Sequence, residues 1–155
     1  MPISYHGGDG LRLFSCYEDP RISDCLITYN KQTGLNLIGR HDIVVSANQF
    51  EENHDALRCT DGFNLCMTGN NFSNSYIGEG KVRRGTKDLD AAGITLEGTS
   101  DVSISGNVFS GLRPKALIVK GQPSRRVVFT GNVLTDATGE AKKLVGSVVE
   151  GNVVE

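Results

Sequence analysis

The sequence has no tryptophan and only four cysteines, four prolines and three histidines among its 155 residues. No apolar run approaches the roughly 18 residues that a membrane-spanning helix needs, so no membrane span is expected. The opening segment, MPISYHGGDG, lacks the charged-then-apolar order of a secretory signal. A formal net charge of −2 predicts no nucleic-acid partner and no membrane-surface partner. Cys16, Cys25, Cys59 and Cys66 form no Cys-x-x-Cys pair, and no histidines cluster with Cys59 and Cys66 as a zinc site requires. They read as free, mostly packed thiols, with a disulfide as the open alternative. Helical periodicity with caps is also missing beyond about two turns anywhere in the chain.

What remains is glycine, at 19 positions, and short runs of Val, Ile, Leu, Thr and Ser. That is a turn-rich, all-β composition in a chain of single-domain length, 1–155. The runs recur. Ser46-Ala-Asn-Gln-Phe50, Thr68-Gly-Asn-Asn-Phe72, Ser105-Gly-Asn-Val-Phe109, Thr130-Gly-Asn-Val-Leu134 and Glu150-Gly-Asn-Val-Val154 share one pattern. A degenerate copy, Ser23 to Ile27, carries Cys25 where the others carry asparagine. The shared slot falls at residues 25, 48, 70, 107, 132 and 152. One long gap, between 70 and 107, marks an insertion over 73–91. Apolar residues stand three before each slot (Ile22, Val45, Met67, Ile104, Phe129, Val149) and two after it (Ile27, Phe50, Phe72, Phe109, Leu134, Val154). A second short strand precedes each slot: GLRLF from Gly10, GLNLI from Gly34, ALRCT from Ala56, GITLE from Gly93 and ALIVK from Ala116.

Units of 20 to 25 residues holding two or three short strands stack as coils. The repeated Gly-Asn-x-Phe after a β run, with a Gly-Leu-x-Leu strand ahead of it, resembles the right-handed parallel β-helix repeat of pectate lyases and polygalacturonases. The resemblance covers about Gly10 to Val154 and implies an all-β, single-stranded solenoid of about six coils with one long loop. In such a coil the slot asparagine turns inward and bonds backbone groups that no strand partner reaches. The preceding glycine permits the bend. Phe50, Phe72 and Phe109 are expected to stack. Cys25 cannot replace those bonds, so the asparagine row should end there.

The resemblance implies a polysaccharide ligand on the outward face of the second-strand column, and a secreted or cell-surface setting. Period-2 alternation places Leu35, Leu37, Leu57, Cys59, Ile94 and Leu96 inward. It places Arg12, Asn36, Arg58, Thr95 and Ile118 outward, then Phe14, Ile38, Thr60, Glu97 and Lys120, beside an open floor of glycine and alanine. Substrate contacts are expected from Arg12, Asn36, Thr95, Glu97 and Lys120, with Glu97 and Lys120 forming a cross-strand ion pair. A hydrolase needs paired carboxylates. The two columns hold only Glu97, and the Gly-His-Gly and Asn-Thr-Asp signatures of polygalacturonases are absent, so a lyase is favoured over a hydrolase. A lyase on an acidic polysaccharide would use Arg58 as base. Asp55 and Asp61 would flank it, holding calcium if a cofactor is used. His54 lies beside them, while His41 and Asp42 read as turn residues. The inserted Lys81, Arg83, Arg84 and Lys87 could form a basic lid. The competing class is a non-catalytic structural or adhesion β-helix. Because no capping segment is evident at either end, the chain reads as part of a longer helix, or as a unit that stacks end to end in a homo-oligomer.

Overall fold

In each short run, alternation buries one side of the strand, and the runs are too short to bury anything unless they pile on one another. The computed structural model describes residues 1–15, 19–39, 41–73, 92–112, 115–135, 137–139 and 141–155. The first turn holds β1 (Pro2–Ser4), β2 (Leu11–Phe14) and β3 (Arg21–Ser23). The second holds β4 (Leu26–Thr28), β5 (Thr33–Ile38) and β6 (His41–Ser46). The third holds β7 (Gln49–Glu51), β8 (Asp55–Thr60) and β9 (Phe63–Thr68). The fourth holds β10 (Asn71–Ser73), β11 (Ala92–Glu97) and β12 (Ser100–Ser105), and the fifth β13 (Val108–Ser110), β14 (Lys115–Val119) and β15 (Ser124–Thr130). A partial sixth adds β16 (Val133–Thr135), β17 (Leu144–Val145), β18 (Val148–Val149) and β19 (Val153–Val154).

Every strand pairs in parallel with the strand one turn away, giving three sheets. Sheet A runs β1-β4-β7-β10-β13-β16-β19, and sheet B runs β2-β5-β8-β11-β14. Sheet C runs from β3 through β6, β9, β12 and β15 to β17, with β18 also on β15. The chain is therefore a parallel β-helix, five full turns and a partial one. The insertion 74–91, with Lys81, Arg83, Arg84 and Lys87, lies outside the described residues.

The asparagine slots sit at the corner between sheets C and A. Asn48 Nδ2 donates to Asn70 Oδ1 at 3.1 Å, Asn70 to Asn107 at 3.0 Å, Asn107 to Asn132 at 3.1 Å and Asn132 to Asn152 at 3.0 Å. Each Oδ1 also accepts the backbone N–H of the slot one turn earlier. Each Nδ2 also reaches a strand carbonyl of that turn, from Ile22, Val45, Met67, Ile104 and Phe129. Only a side chain with both a donor and an acceptor does this. Cys25 gives its thiol to Ser23 O, and the row ends at it. The residue before each slot has positive φ, from 55° at Asp24 and Ala47 to 66° at Gly151. Glycine adopts that conformation without cost, hence its use at four of these six corners.

The core lies between the three sheets. Phe50 and Phe72 stack at 4.9 Å, and Phe72 and Phe109 at 4.8 Å; Phe129 joins from sheet C, tilted at 5.5 Å. Parallel register fixes that spacing, since neighbouring strands lie about 4.8 Å apart. Cys25, Cys59 and Cys66 are free, and Cys16 lies outside the described residues. Burial among Leu37, Leu57 and Leu96 raises the Cys59 thiol from its ordinary 9.0 to about 12.

Asn107→Ala removes two donors and two acceptances from the middle of the row. It should lower unfolding free energy by about 1–3 kcal/mol, read from a denaturant titration. An unchanged midpoint would refute the role of the row. Cys59 should stay unlabelled by iodoacetamide at pH 8 in the folded chain and react once it is unfolded, as mass spectrometry would show. Its raised pKa favours folding below pH 9.0, and that contribution fades as pH climbs toward about 12. Rapid labelling of native Cys59 would contradict its burial.

Candidate functional site

Sheet B exposes one face to solvent, and its register lines up the polar column in one row. Arg12 pairs with Asn36, Asn36 with Arg58, Arg58 with Thr95, and Thr95 with Ile118. The residues between them, Leu35, Leu37, Leu57, Cys59, Ile94 and Leu96, are buried as alternation requires. The first column is no open floor. Ala56 and Ala116 are buried, and a Cβ on Gly34 would stand 2.7 Å from the Ala56 carbonyl of the next turn. Turn-to-turn contact at the start of the strands fills that space.

The Arg58 guanidinium donates to Glu97 Oε2 at 3.2 Å, both side chains half-exposed. The expected Glu97–Lys120 pair is not formed. Lys120 follows β14 and bonds Leu96 O through its backbone, and Arg58, one turn before Glu97, takes the carboxylate instead. The other oxygen of Glu97 leans over Gly121, where any side chain would displace it. Asn36 donates its amide to Asp9 Oδ2 at 2.8 Å, and Asp9 Oδ1 also accepts the Thr33 N–H at 3.0 Å. Sequence reading missed Asp9. It sits in a glycine-rich stretch, and nothing local announces that it turns back onto β5.

Among the described residues, two atoms in this row have no partner. Asn36 Oδ1 and Thr95 Oγ1 are buried and make no hydrogen bond, and Thr95 as a whole is 0% exposed. A buried hydroxyl without a partner costs stability that valine in its place would not.

The other candidates lie apart from one another. Asp55 begins β8 and is buried, on the same alternation as Leu57 and Cys59, whereas Arg58 points to the opposite face. Asp61 is exposed at the corner after β8, with φ of 53° and its carboxylate lying over Gly98. Among the described residues no hydrogen bond or ion pair joins Arg58 to Asp55 or Asp61. Those two acids are six residues of extended chain apart, on the order of 20 Å, too far to share one calcium ion. His54 is exposed and bonds Asn30 O through its backbone.

One group of metal-capable side chains does converge among the described residues: Asp19, His41 and Asp42, at the outer edge of sheet C. Rather than turn residues, His41 and Asp42 open β6. Hydrogen bonds from His41 and Asn64 lower the Asp42 carboxyl, and His41 stacks on Phe63 at 5.0 Å. On the same sheet the Arg126 guanidinium holds the Asp101 carboxyl below its usual range through a two-pronged bond.

The comparisons agree with this architecture. Among solved structures, the enzymatically active domain of tailspike protein 2 from bacteriophage CBA120 superposes with a TM-score of 0.58 at 15% identity. The match covers 95% of this chain and 21% of that one, so this chain spans about a fifth of the neighbour's length. No curated protein matches. The model of the right-handed β-helix region matches residues 3–154. With the match running over nearly every turn described above, the chain belongs to the right-handed β-helix family.

Proposed function

We propose that the outward face of sheet B binds a polysaccharide, along the row Arg12, Asn36, Arg58, Thr95 and Glu97. The observation that carries this reading is the pair of buried atoms without a partner among the described residues, Asn36 Oδ1 and Thr95 Oγ1, in the outward row of sheet B. A repeat spaced at about 4.8 Å is a regular lattice of donors and acceptors, which suits a polymer better than a compact ligand. Sugar hydroxyls supply both roles.

Charge on the face is balanced where it is paired: Arg58 with Glu97, and Asp9 beside Asn36. Arg12 and Lys120 have no carboxylate partner among the described residues, and these cations favour an acidic sugar. A sugar carboxylate or hydroxyl that draws Arg58 from Glu97 would uncover Thr95. Binding is supported ahead of elimination, because a base must be free to take a proton and Arg58 already donates to Glu97. The resemblance to pectate lyases, and the fold likeness to a domain described as enzymatically active, keep processing as the stronger form of the same reading.

The test is calorimetric titration with hexamers of galacturonate and of a neutral glucan. Galacturonate hexamer should bind, and Arg12→Ala should weaken it by roughly tenfold. Thr95→Val should raise stability by about 1 kcal/mol while weakening the same ligand, since it removes an unmet hydroxyl that the sugar would satisfy. Unaltered affinity in both variants would overturn the sheet B row as the binding face, and no binding of either hexamer would favour a purely structural β-helix.

A further inference from the structure

Two tyrosines stand on the outside of the corner between sheets A and B with no role in the core. Tyr5 follows β1 and Tyr29 follows β4, and successive turns place them one above the other. Their rings lie 5.1 Å apart at an interplanar angle of 4°, a parallel stack. Tyr5 is 77% exposed and Tyr29 47%, so the stack projects into solvent instead of packing inward.

Both residues also hold a backbone conformation that suits them poorly. Their φ values are 61° and 55°, in the left-handed region that a bulky side chain enters at a cost. Elsewhere among the described residues that conformation falls to glycine, alanine or polar residues, and no other aromatic adopts it. Corner geometry therefore explains the bend but gives no reason for an aromatic ring there. Each ring stiffens the other, leaving a flat apolar surface with a hydroxyl at its wet edge.

The location adds a ligand. Tyr5 lies seven residues before Arg12, and Tyr29 seven before Asn36, at the corner that leads into β2 and β5. The pair thus belongs to the same two turns as Arg12 and Asn36, at the corner from which those strands of the sheet B row start. We infer that Tyr5 and Tyr29 form a stacking platform for a pyranose ring of the same polysaccharide, the free face of Tyr5 taking the C–H face of the sugar. Sugar hydroxyls stay in water at the rim, while the C–H patch leaves water against the ring. This inference rests on the polysaccharide reading of sheet B and adds to it an aromatic subsite off the sheet.

The experiment uses the whole chain and the two hexamers already named. Tyr5→Ala should weaken the hexamer that binds by roughly three- to tenfold, and Tyr5→Phe should keep near-native affinity. Tyr5→Asn guards against a folding artefact, because asparagine tolerates positive φ and should fold while losing affinity like alanine. In proton NMR, sugar C–H resonances should shift upfield with the native chain and with Tyr5→Phe, but not with Tyr5→Asn. If Tyr5→Ala and Tyr5→Asn bind as the native chain while Arg12→Ala is weakened, the platform is overturned and the sheet B reading stands. Loss of affinity in Tyr5→Phe equal to that in Tyr5→Ala would also overturn stacking. If neither hexamer binds the native chain, both readings fall together.

Discussion

Parallel register between successive turns is the constraint on which everything else in this molecule rests. Among the described residues no strand exceeds seven residues, and none has a partner within its own turn. Each turn must therefore find its hydrogen bonds on the turns above and below. The corner between sheets C and A is where that register is locked. There each asparagine accepts from one turn and donates to it as well, while its own backbone N–H is bound by the next. A shift by one residue would bury the wrong face of every strand. It would also strand several amide groups in the core.

The core follows from the same lock. Because turns repeat at a fixed spacing, a ring placed two residues after the slot meets an identical ring in the next turn. Phe50, Phe72 and Phe109 do so nearly parallel. Phe129 breaks the parallel arrangement because it enters from another sheet. Cys59, on sheet B, is enclosed by leucines and held neutral by that enclosure.

Legibility in the sequence tracked repetition. Five copies of the asparagine slot were enough to read the fold, the inward columns and the end of the row at Cys25. A second, shorter amide ladder, Asn30 on Asn53 at 2.8 Å, was not read, since two copies 23 residues apart do not declare a period. In later turns Leu112 and Ala137 sit at the same distance after the slot. The functional face was legible as columns but not as contacts. Alternation gives which side Arg58 faces, and it cannot give whether Glu97 is met by the arginine one turn before it or the lysine one turn after. Asp9 was invisible for the same reason: its partners, Thr33 and Asn36, belong to another turn. Nothing in a linear pattern encodes an unmet hydroxyl such as that of Thr95.

The three corners differ in how much chain they carry, and this bears on how such a molecule can change. Two residues link sheet C to sheet A at each of the first five crossings, whereas the link from sheet A to sheet B ranges from three residues, after β7, to eighteen, after β10. The amide-locked corner thus acts as a ruler of fixed length, and the opposite corner as a splice point. New segments can be grafted at the splice point without disturbing the count that the ruler keeps. The tyrosine pair lies at that splice point, and the long insertion interrupts the same sheet A to sheet B link in the sequence. Diversification is channelled to one flank of the helix, and the rest of the solenoid is left to hold still.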